Sequence, residues 1–494
     1  MRSPQTGTDD IYDVAIVGYG PVGATLANLL GAQGLSVLVV EREASVYHQP
    51  RAGHMDGEVA RVFQSIGLAE DILEHAYVNP GMQFQNAAGD VILDWPRPQE
   101  VGPEGWHPSY RFHQPGLETC LRAGIARMPR VDVRLRHDVT AVRDLGEMAE
   151  VEATPLDGGD VVTFRARHVV GCDGARSMVR KTMGVELLDL KSHQQWVIID
   201  VAFRDRDDPL PAKTIQYCDP LRPVTMAKMV GNRRRWELML MDGESPEAIV
   251  RPETYWPLLD RWVQPGDVEV ERAVVYTFHS VVAPEWRKGR LLLAGDSCHQ
   301  TPPFMGQGMC AGIRDAANLS WKLASVLRGE APDALLDTYQ TERIPHVRTF
   351  IETAVRLGNL VHVTDPDEAA RRDAALRADP QAMKTPAPPL GPGLSPEGMP
   401  HAGTRARQIL LADGRRSDDA IGLGFGLFVR DDMAPRAPQG VTVLTSADPG
   451  VAAWLDELGT NAVLVRPDRY VLGVAGDPQT LAALLDGRPV RVAA

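Results

Sequence analysis

The sequence predicts an α/β protein with a parallel sheet, an inserted mainly antiparallel sheet and a smaller C-terminal α/β unit. A strand, a glycine-rich turn, a helix and a second strand follow one another between residues 12 and 41. Apolar runs of strand length, separated by turns, then fill residues 196–278. At 291–323 the chain returns to a strand, a glycine-rich turn and a helix. An insertion between two glycine-turn units predicts one discontinuous domain that encloses another.

Length and composition bound the class of protein. A chain of 494 residues is longer than one hydrophobic core usually supports, so two or three domains are expected. The formal net charge of −13 argues against a nucleic-acid binder, and no apolar stretch is long enough to predict a membrane span. Five scattered cysteines without a C-x-x-C pair predict a cytoplasmic protein and no zinc site.

The first unit carries a nucleotide-binding pattern. YDVAIV at 12–17 is typical of a buried parallel strand, and Gly18, Gly20 and Gly23 follow it as G-x-G-x-x-G before a helical pattern. Glu41 ends the next strand, where a carboxylate can accept hydrogen bonds from ribose hydroxyls and repels a 2′-phosphate. The pattern predicts a Rossmann-like domain that holds FAD or NAD.

Two further glycine turns follow apolar strands. Residues 169–181 read VVGCDGARSMVRK, in which Asp173 precedes a basic helix. Residues 294–315 read AGDSCHQTPPFMGQGMCAGIRD, with Asp296 and the glycines at 306 and 308 before a long helix. Because helix N-termini present unpaired N–H groups, these turns predict further contacts to one large cofactor.

The pattern divides the chain as follows. Residues 10–185 and 280–362 are predicted to form the cofactor domain, and 186–279 the inserted substrate-binding sheet. Residues 363–402 are rich in Pro, Gly, Ala and Asp and are predicted to be a linker. A compact unit of alternating strands and helices is predicted over 403–494.

These motifs together carry a family resemblance. GYGPVG with Glu41, CDGARSMVR and AGDSCHQTPPFMGQGMCAGIRD resemble the single-component FAD-dependent aromatic hydroxylases, the para-hydroxybenzoate hydroxylase superfamily. QPRAGHMD at 49–56 and YCDPLRP at 217–223 resemble the subgroup of 3-(3-hydroxyphenyl)propionate, phenol and polyketide hydroxylases. Residues 403–494 resemble the thioredoxin-like C-terminal domain of phenol hydroxylases, although they lack a C-x-x-C pair.

The resemblance implies an activity. NADH or NADPH, visiting transiently, reduces FAD, O2 forms a flavin C4a-hydroperoxide, and one oxygen atom passes to a phenolic ring. It implies a small aromatic substrate, a homodimer, and no metal, nucleic acid or membrane partner. The alternative is a flavoprotein reductase or oxidoreductase of the same fold that does not insert oxygen.

The resemblance also assigns site residues. Those expected to hold FAD are Gly18, Gly20, Gly23, Glu41, Arg42, Arg51, Gln114, Asp173, Asp296, Gly306, Gln307, Gly308 and Met309. Pro303 matches a position beside the substrate ring. A base that ionises the phenol would make it more nucleophilic, and His54 is the first candidate for it and His299 the second.

The substrate is expected to bind between the cofactor and the inserted sheet. Apolar and aromatic side chains usually line such a pocket, and an arginine can capture a carboxylate. The candidates for lining it are Trp196, Tyr217, Met226, Trp236 and Met239, and the candidate arginines are Arg222 and Arg111.

Overall fold

A computed structural model of the chain describes residues 11–191, 193–204, 207–379, 383–396 and 398–490. Across these ranges no helix combines the length and the apolar character that a membrane span requires. The strands in this part of the chain are β1 (Ile11–Val17), β2 (Val37–Val40), β3 (His54–Asp56), β4 (Tyr77–Val78), β5 (Gly81–Gln85), β6 (Val91–Pro96), β7 (Ser109–Arg111), β8 (Val131–Arg134), β9 (His137–Asp144), β10 (Ala149–Pro155), β11 (Val162–Gly171), β12 (Leu188–Asp189), β13 (Gln194–Phe203), β14 (Thr214–Tyr217), β15 (Val224–Lys228), β16 (Arg233–Met239), β17 (Val268–Phe278), β18 (Val281–Val282), β19 (Arg287–Lys288), β20 (Leu291–Leu293), β21 (His299–Gln300), β22 (Phe425–Val429), β23 (Val441–Thr445), β24 (Ala462–Val465) and β25 (Val471–Ala475).

The α-helices of the same part of the chain are numbered in the same way. They are α1 (Pro21–Ala32), α2 (Gly57–Ser65), α3 (Ala69–Leu73), α4 (Gln114–Ile125), α5 (Met178–Met183), α6 (Pro246–Ile249), α7 (Pro252–Leu259), α8 (Gly308–Leu327), α9 (Asp337–Val361), α10 (Pro366–Ala378), α11 (Ser417–Ile421), α12 (Pro449–Leu458) and α13 (Pro478–Asp486). Short 3-10 turns lie at Gly295–Ser297 and Pro303–Met305.

A parallel sheet forms the centre of the first domain. Its order is β19-β20-β11-β1-β2-β8, with β9 and β10 added beside β11, and the pairs from β20 to β8 are parallel. Val14, Ala15 and Ile16 in β1 and all of β2 are buried, because α1 packs on these two strands and α8 packs on α1. Each buried valine, leucine or isoleucine side chain contributes about 1.5–3 kcal/mol. The predicted α/β class with a Rossmann-like domain is confirmed.

A second, mainly antiparallel sheet has the order β17-β13-β16-β15-β14-β5-β6. One face packs on α6 and α7 through an apolar cluster that includes Val197, Trp236 and Leu259. Two of its strands, β5 and β6, come from the segment predicted to belong wholly to the cofactor domain. β14 pairs with β5 in parallel, and a pairing across more than 120 residues leaves no mark in local periodicity.

The last part of the chain forms a four-stranded sheet of order β23-β22-β24-β25, with α12 and α13 packed on it. Trp321 of α8 and Leu335 share an apolar cluster with Phe425 and Leu427 of this unit, so the unit is attached to the cofactor domain through a core. The thioredoxin-like assignment of residues 403–494, like the domain boundaries, stays a prediction.

The predicted linker at 363–402 contains a regular element. Helix α10 begins after Asp365, whose carboxylate accepts a hydrogen bond from the Glu368 N–H at 2.8 Å. Its Leu376 packs into a cluster with β6 and α9 side chains. The composition of the whole segment hid a short stretch with a good N-cap, an N-terminal proline and many alanines, which together favour a helix.

Candidate active site

A cavity of about 1030 Å³ lies where the parallel sheet meets the antiparallel sheet. The carboxyl ends of β1, β2, β11 and β20 open into it, which is where open α/β sheets bind ligands. The facing wall is one side of β13, β14, β15, β16 and β17. This volume lies at the upper end of ordinary ligand pockets, so it accommodates a large cofactor together with a small substrate.

The turn between β1 and α1 is shaped for a phosphate group. Gly18 has a φ of +101°, and a Cβ there would lie 2.5 Å from the carbonyl oxygen of Cys172. Gly20 is the N-cap of α1 without a side-chain cap, and a Cβ placed on it would meet nothing within 4 Å. The first N–H groups of α1 therefore face open space, and this uncapped helix start suits an anion.

The two neighbouring strand ends supply carboxylates. Glu41, after β2, accepts hydrogen bonds from the Tyr19 N–H at 2.6 Å and from the Glu43 N–H at 2.8 Å. Asp173, after β11, accepts from the Met178 N–H at 2.6 Å through Oδ2, and its buried Oδ1 has no hydrogen-bond partner among the described residues. Both carboxylates line the cavity beside Arg42, and the unpartnered Oδ1 can accept from a ligand hydroxyl.

The segment after Arg42 crosses the cavity and is held from one side by α4. Gln114, the first residue of α4, accepts hydrogen bonds from the N–H groups of Arg51 at 2.9 Å and Ala52 at 2.7 Å. Its amide nitrogen donates to Glu118 at 2.8 Å. Gln114 therefore fixes the backbone around Arg51, whose side chain is exposed.

The antiparallel sheet holds the same segment from the other side. Arg235 donates to Asp200 at 2.7 Å and to the Pro50 carbonyl oxygen at 2.7 Å. Arg272 also donates to Asp200 and to the Pro50 oxygen, at 2.5 Å and 2.9 Å. Two guanidinium groups that share one carboxylate thus join the substrate sheet to the cofactor domain, and no sequence motif predicted these partners.

The turn after β20 forms the third part of the cavity wall. Asp296 is exposed on that wall, and reduced hydration at this depth raises the pKa of its carboxyl. Gly306 has a φ of +62°, and α8 then begins at Gly308 without a side-chain cap on its first N–H groups. Gln307 is fixed because its Oε1 accepts from Arg314 at 3.1 Å. A second helix start without a side-chain cap therefore lines the cavity.

His54 lines the cavity, but both of its ring nitrogens have partners. Nδ1 lies 3.1 Å from the Gly306 carbonyl oxygen and Nε2 lies 2.9 Å from Ser109 Oγ. A carbonyl oxygen only accepts, so Nδ1 carries the hydrogen and Nε2 accepts from the serine hydroxyl. Burial, and then the Arg111 guanidinium, lower the pKa of His54 to about 4. The neutral ring holds Gly306 in place.

We expect the His54 imidazole to stay neutral between pH 5 and 8. The protein environment disfavours its charged form, so the unfolded chain binds its proton first, and this histidine's contribution to stability falls as pH decreases from about 6.5 towards 4. Imidazole ¹⁵N NMR, with the resonance assigned by its loss in His54→Asn, measures the midpoint. A midpoint between pH 6 and 7 would contradict the lowered pKa of His54.

Of the other two predicted catalytic residues, one reaches the cavity and one does not. Pro303, in the 3-10 turn before α8, lines the cavity. His299 is fully buried, and its Nε2 lies 2.7 Å from Asp315, which also accepts a hydrogen bond from Arg343 at 2.9 Å. Among the described residues His299 does not line the cavity, because its ring packs against Asp315 and Trp286.

Of the seven candidate substrate residues, Arg111 lines the cavity and the other six do not. Tyr217, Met226 and Trp236 point to the far face of the sheet and pack on α6 and α7, because side chains alternate along a strand. Trp196 and Met239 lie on the near side of the sheet but pack into an apolar cluster with Phe304, and of these three residues only Phe304 lines the cavity. Arg222 is bound to the Glu244 carboxylate at 2.5 Å outside it. These six residues therefore lie outside the cavity lining, contrary to the expectation from sequence.

The side chains that do face the cavity from this sheet are mostly the sequence neighbours of those residues. They are Ile198, Thr214, Gln216, Thr225, Ala227, Met229, Arg235, Glu237, Arg272, Tyr276 and Phe278. Arg97, which directly follows β6, and Arg111 of β7 join them. The alternation of polar and apolar residues in RRRWELML could have predicted which side chains face the cavity. The aromatic residues were predicted to line it, whereas the polar residues Arg235 and Glu237 do so.

The fold and the cavity together define a protein with a dinucleotide-binding domain and a separate sheet that faces the same cavity. The sequence profile of the FAD binding domain family matches residues 11–354. A probable NADH-specific resorcinol 4-hydroxylase of Rhodococcus jostii (strain RHA1) is 38% identical over 96% of this chain and 93% of its own length. The chain belongs to the FAD binding domain family.

Two further relatives agree with this membership. A 3-(3-hydroxy-phenyl)propionate/3-hydroxycinnamic acid hydroxylase of Mycobacterium avium (strain 104) is 41% identical to this chain. The match covers 75% of this chain and 65% of that protein's length. The crystal structure of the flavin-dependent monooxygenase PieE superposes with a TM-score of 0.84 at 22% identity, covering 98% of this chain and 100% of that one, and shows that the fold is shared. The predicted resemblance, FAD as cofactor and the class of flavin-dependent aromatic monooxygenase are confirmed.

The residues present fit FAD. Gly20 and Gly308 leave open space in front of two uncapped helix starts, and Asp173 keeps a buried oxygen without a partner among the described residues. Of the thirteen positions predicted to hold FAD, twelve line the one cavity. Gly23 is the exception, because it lies under the Gly18 carbonyl within the turn. Their individual roles stay predictions.

Proposed function

We propose that this protein hydroxylates a small phenol of the resorcinol type, with NADH as the electron donor and O2 as the oxygen source. The observation that carries the proposal is the continuous cavity that joins the nucleotide-binding turn to the polar face of the substrate sheet. The name of the Rhodococcus relative, which matches nearly the whole chain, supports this choice of phenol and of NADH.

We infer a division of the cavity between cofactor and substrate. The α1 start and Glu41 would bind the ADP half of FAD, with Arg42, Arg51, Gln114 and Asp173 nearby, and Asp296 would bind a ribityl hydroxyl. Gly306, Gln307, Gly308 and Met309 would contact the flavin ring. The N–H groups at the start of α8 would stabilise negative charge on that ring. Bound FAD would supply electron transfer from the nicotinamide and the activation of O2.

The substrate would lie between Pro303 and the sheet. Gln216 and Thr225 offer polar contacts, and their side chains are joined by a hydrogen bond of 2.6 Å, while Ala227 and Met229 offer an apolar surface. This arrangement fixes a small ring and keeps water away from it, which limits loss of activated oxygen.

The domain boundaries, the oligomeric state and the cellular location are proposed as follows. We propose the cofactor domain at 10–185 and 280–362, with β5 and β6 contributing to the substrate sheet at 186–279, and a thioredoxin-like unit at 403–494. A homodimer follows the family resemblance. A cytoplasmic location fits the five free cysteines, of which Cys218, Cys298 and Cys310 are buried.

The proposal predicts that the purified protein is yellow with FAD and that resorcinol accelerates its NADH oxidation. Mass spectrometry of the product should show the gain of one oxygen atom per molecule of NADH consumed. NADPH in place of NADH is the matched control and should react more slowly. NADH oxidation that yields only a reduced substrate or hydrogen peroxide would contradict hydroxylation and support the reductase alternative.

A further inference from the structure

One carboxylate faces the substrate part of the cavity and forms no hydrogen bond within the described residues. Glu237 lies in β16, between Ile198 of β13 and Thr225 of β15 in the sheet register, and all three side chains line the cavity. Glu237 is only 8% exposed. Its nearest cation is Arg235, at 4.0 Å, and that guanidinium donates its hydrogen bonds to Asp200 and to the 50–51 backbone.

A buried carboxylate without a hydrogen-bond donor is unfavourable, so its presence on a cavity wall indicates a ligand that supplies the donor. The charged groups facing it are Arg235 on its own strand, Asp200 on β13, Arg111 on β7 and Arg272 on β17. Burial and Asp200 raise the pKa of Glu237 more than the three arginines lower it. A carboxylate in this setting accepts a proton more readily than one in water.

We propose that Glu237 accepts the hydroxyl proton of the bound phenol and is the base of the reaction. This assignment rests on the proposed phenol hydroxylation. The phenol O–H bond breaks, its electron pair remains on the oxygen as phenolate, and the proton forms an O–H bond with a Glu237 carboxylate oxygen. Glu237 releases the proton to water when the product leaves, which restores the carboxylate. The phenolate ring is the stronger nucleophile towards an electrophilic oxygen.

The two histidines predicted for this role are less suited to it. Both nitrogens of His54 are occupied, by the Gly306 carbonyl and the Ser109 hydroxyl. His299 is fully buried and bound to Asp315 outside the cavity. Among these three groups, Glu237 alone combines a position on the cavity wall with free acceptor oxygens.

The test compares the holoenzyme with Glu237→Gln and Glu237→Asp, using resorcinol, NADH and air-saturated buffer from pH 5 to 10. Wild-type hydroxylation should rise with pH through the raised pKa of Glu237 and then level off, because only the ionised carboxylate accepts a proton. Glu237→Gln should hydroxylate roughly 10²–10⁴-fold more slowly at pH 7. Its rate should then rise about tenfold per pH unit towards about pH 10, where phenols ionise in water. Glu237→Asp should recover part of the rate and keep a wild-type-shaped profile.

Glu271→Gln is the matched control, because Glu271 lies on β17 of the same sheet but pairs with Arg233 at 2.9 Å outside the cavity. It should leave the profile unchanged, and all variants should retain FAD. A Glu237→Gln profile parallel to wild type would overturn the assignment, since a structural role lowers the rate equally at every pH. Wild-type protein that hydroxylates no phenol would instead refute the proposed function, and the base with it.

Discussion

Gly20→Val should lower the affinity for FAD by about 100-fold or more, corresponding to about 2.7 kcal/mol, while the FAD-free protein stays folded. Gly20 has φ −71° and ψ −173°, which valine adopts without strain, and a Cβ there meets no atom within 4 Å. The added side chain would occupy the space in front of the α1 N–H groups where a pyrophosphate must approach. Titration of the apoprotein with FAD, followed by flavin fluorescence, measures the change.

Gly23→Val is the matched control for this prediction. A Cβ at Gly23 would lie 2.2 Å from the carbonyl oxygen of Gly18, so the turn itself must deform. This variant should lower the thermal midpoint of the FAD-free protein, whereas Gly20→Val should leave it within a few degrees of wild type. Unchanged FAD affinity in Gly20→Val would show that the pyrophosphate does not bind at the start of α1.

Glu342→Ala should destabilise the protein by about 3–5 kcal/mol, because it leaves buried Lys322 without its ion-pair partner and leaves Arg466 with Asp468 as its one remaining carboxylate. Glu342 lies in α9, is 1% exposed, and accepts from Lys322 at 2.6 Å and from both terminal nitrogens of Arg466 at 2.8 Å. Burial opposes its ionisation, but Arg466 and Lys322 prevail and hold the pKa of Glu342 well below its usual range. Guanidinium unfolding, followed by circular dichroism, measures the loss.

Glu352→Ala provides the comparison in the same helix. Glu352 pairs with Arg348 at 2.7 Å, but both side chains are about half exposed, so its removal should change stability by less than about 0.5 kcal/mol. Arg466 belongs to the C-terminal unit, and the Glu342 variant should therefore also expose residues 403–490 to limited proteolysis. Equal, small effects of both substitutions would mean that the buried cluster does not hold this unit in place.

Much of the cofactor domain could be predicted, because its signals are local. The strand at 12–17, the three glycines, Glu41 and the helix after Gly308 each depend on neighbours within about one βαβ unit. Helix α10 was not predicted, because the composition of the whole segment 363–402 indicated a linker. The helix depends instead on a local signal, the N-cap Asp365 and the proline that follows it.

The substrate wall could not be predicted in the same way. Tyr217 and Gln216 are adjacent in sequence and face opposite sides of one sheet, and only the packing of α6 and α7 decides which side is sealed. The pairing of β14 with β5, and the sharing of Asp200 between Arg235 and Arg272, join distant segments. These contacts do not recur with a fixed spacing, so periodicity contains no record of them.

By itself the sequence determined the class of protein, its cofactor and the three turns that surround the cofactor. A helix start that binds a phosphate group needs glycines at fixed short spacings, so it can be recognised from the local sequence. The tertiary structure decided the rest: Glu237 faces the cavity, Trp236 lies in the core, and His299 is fully buried outside the cavity lining. Facing or avoiding a cavity depends on what packs against the other side of the sheet, which is a property of the assembled fold.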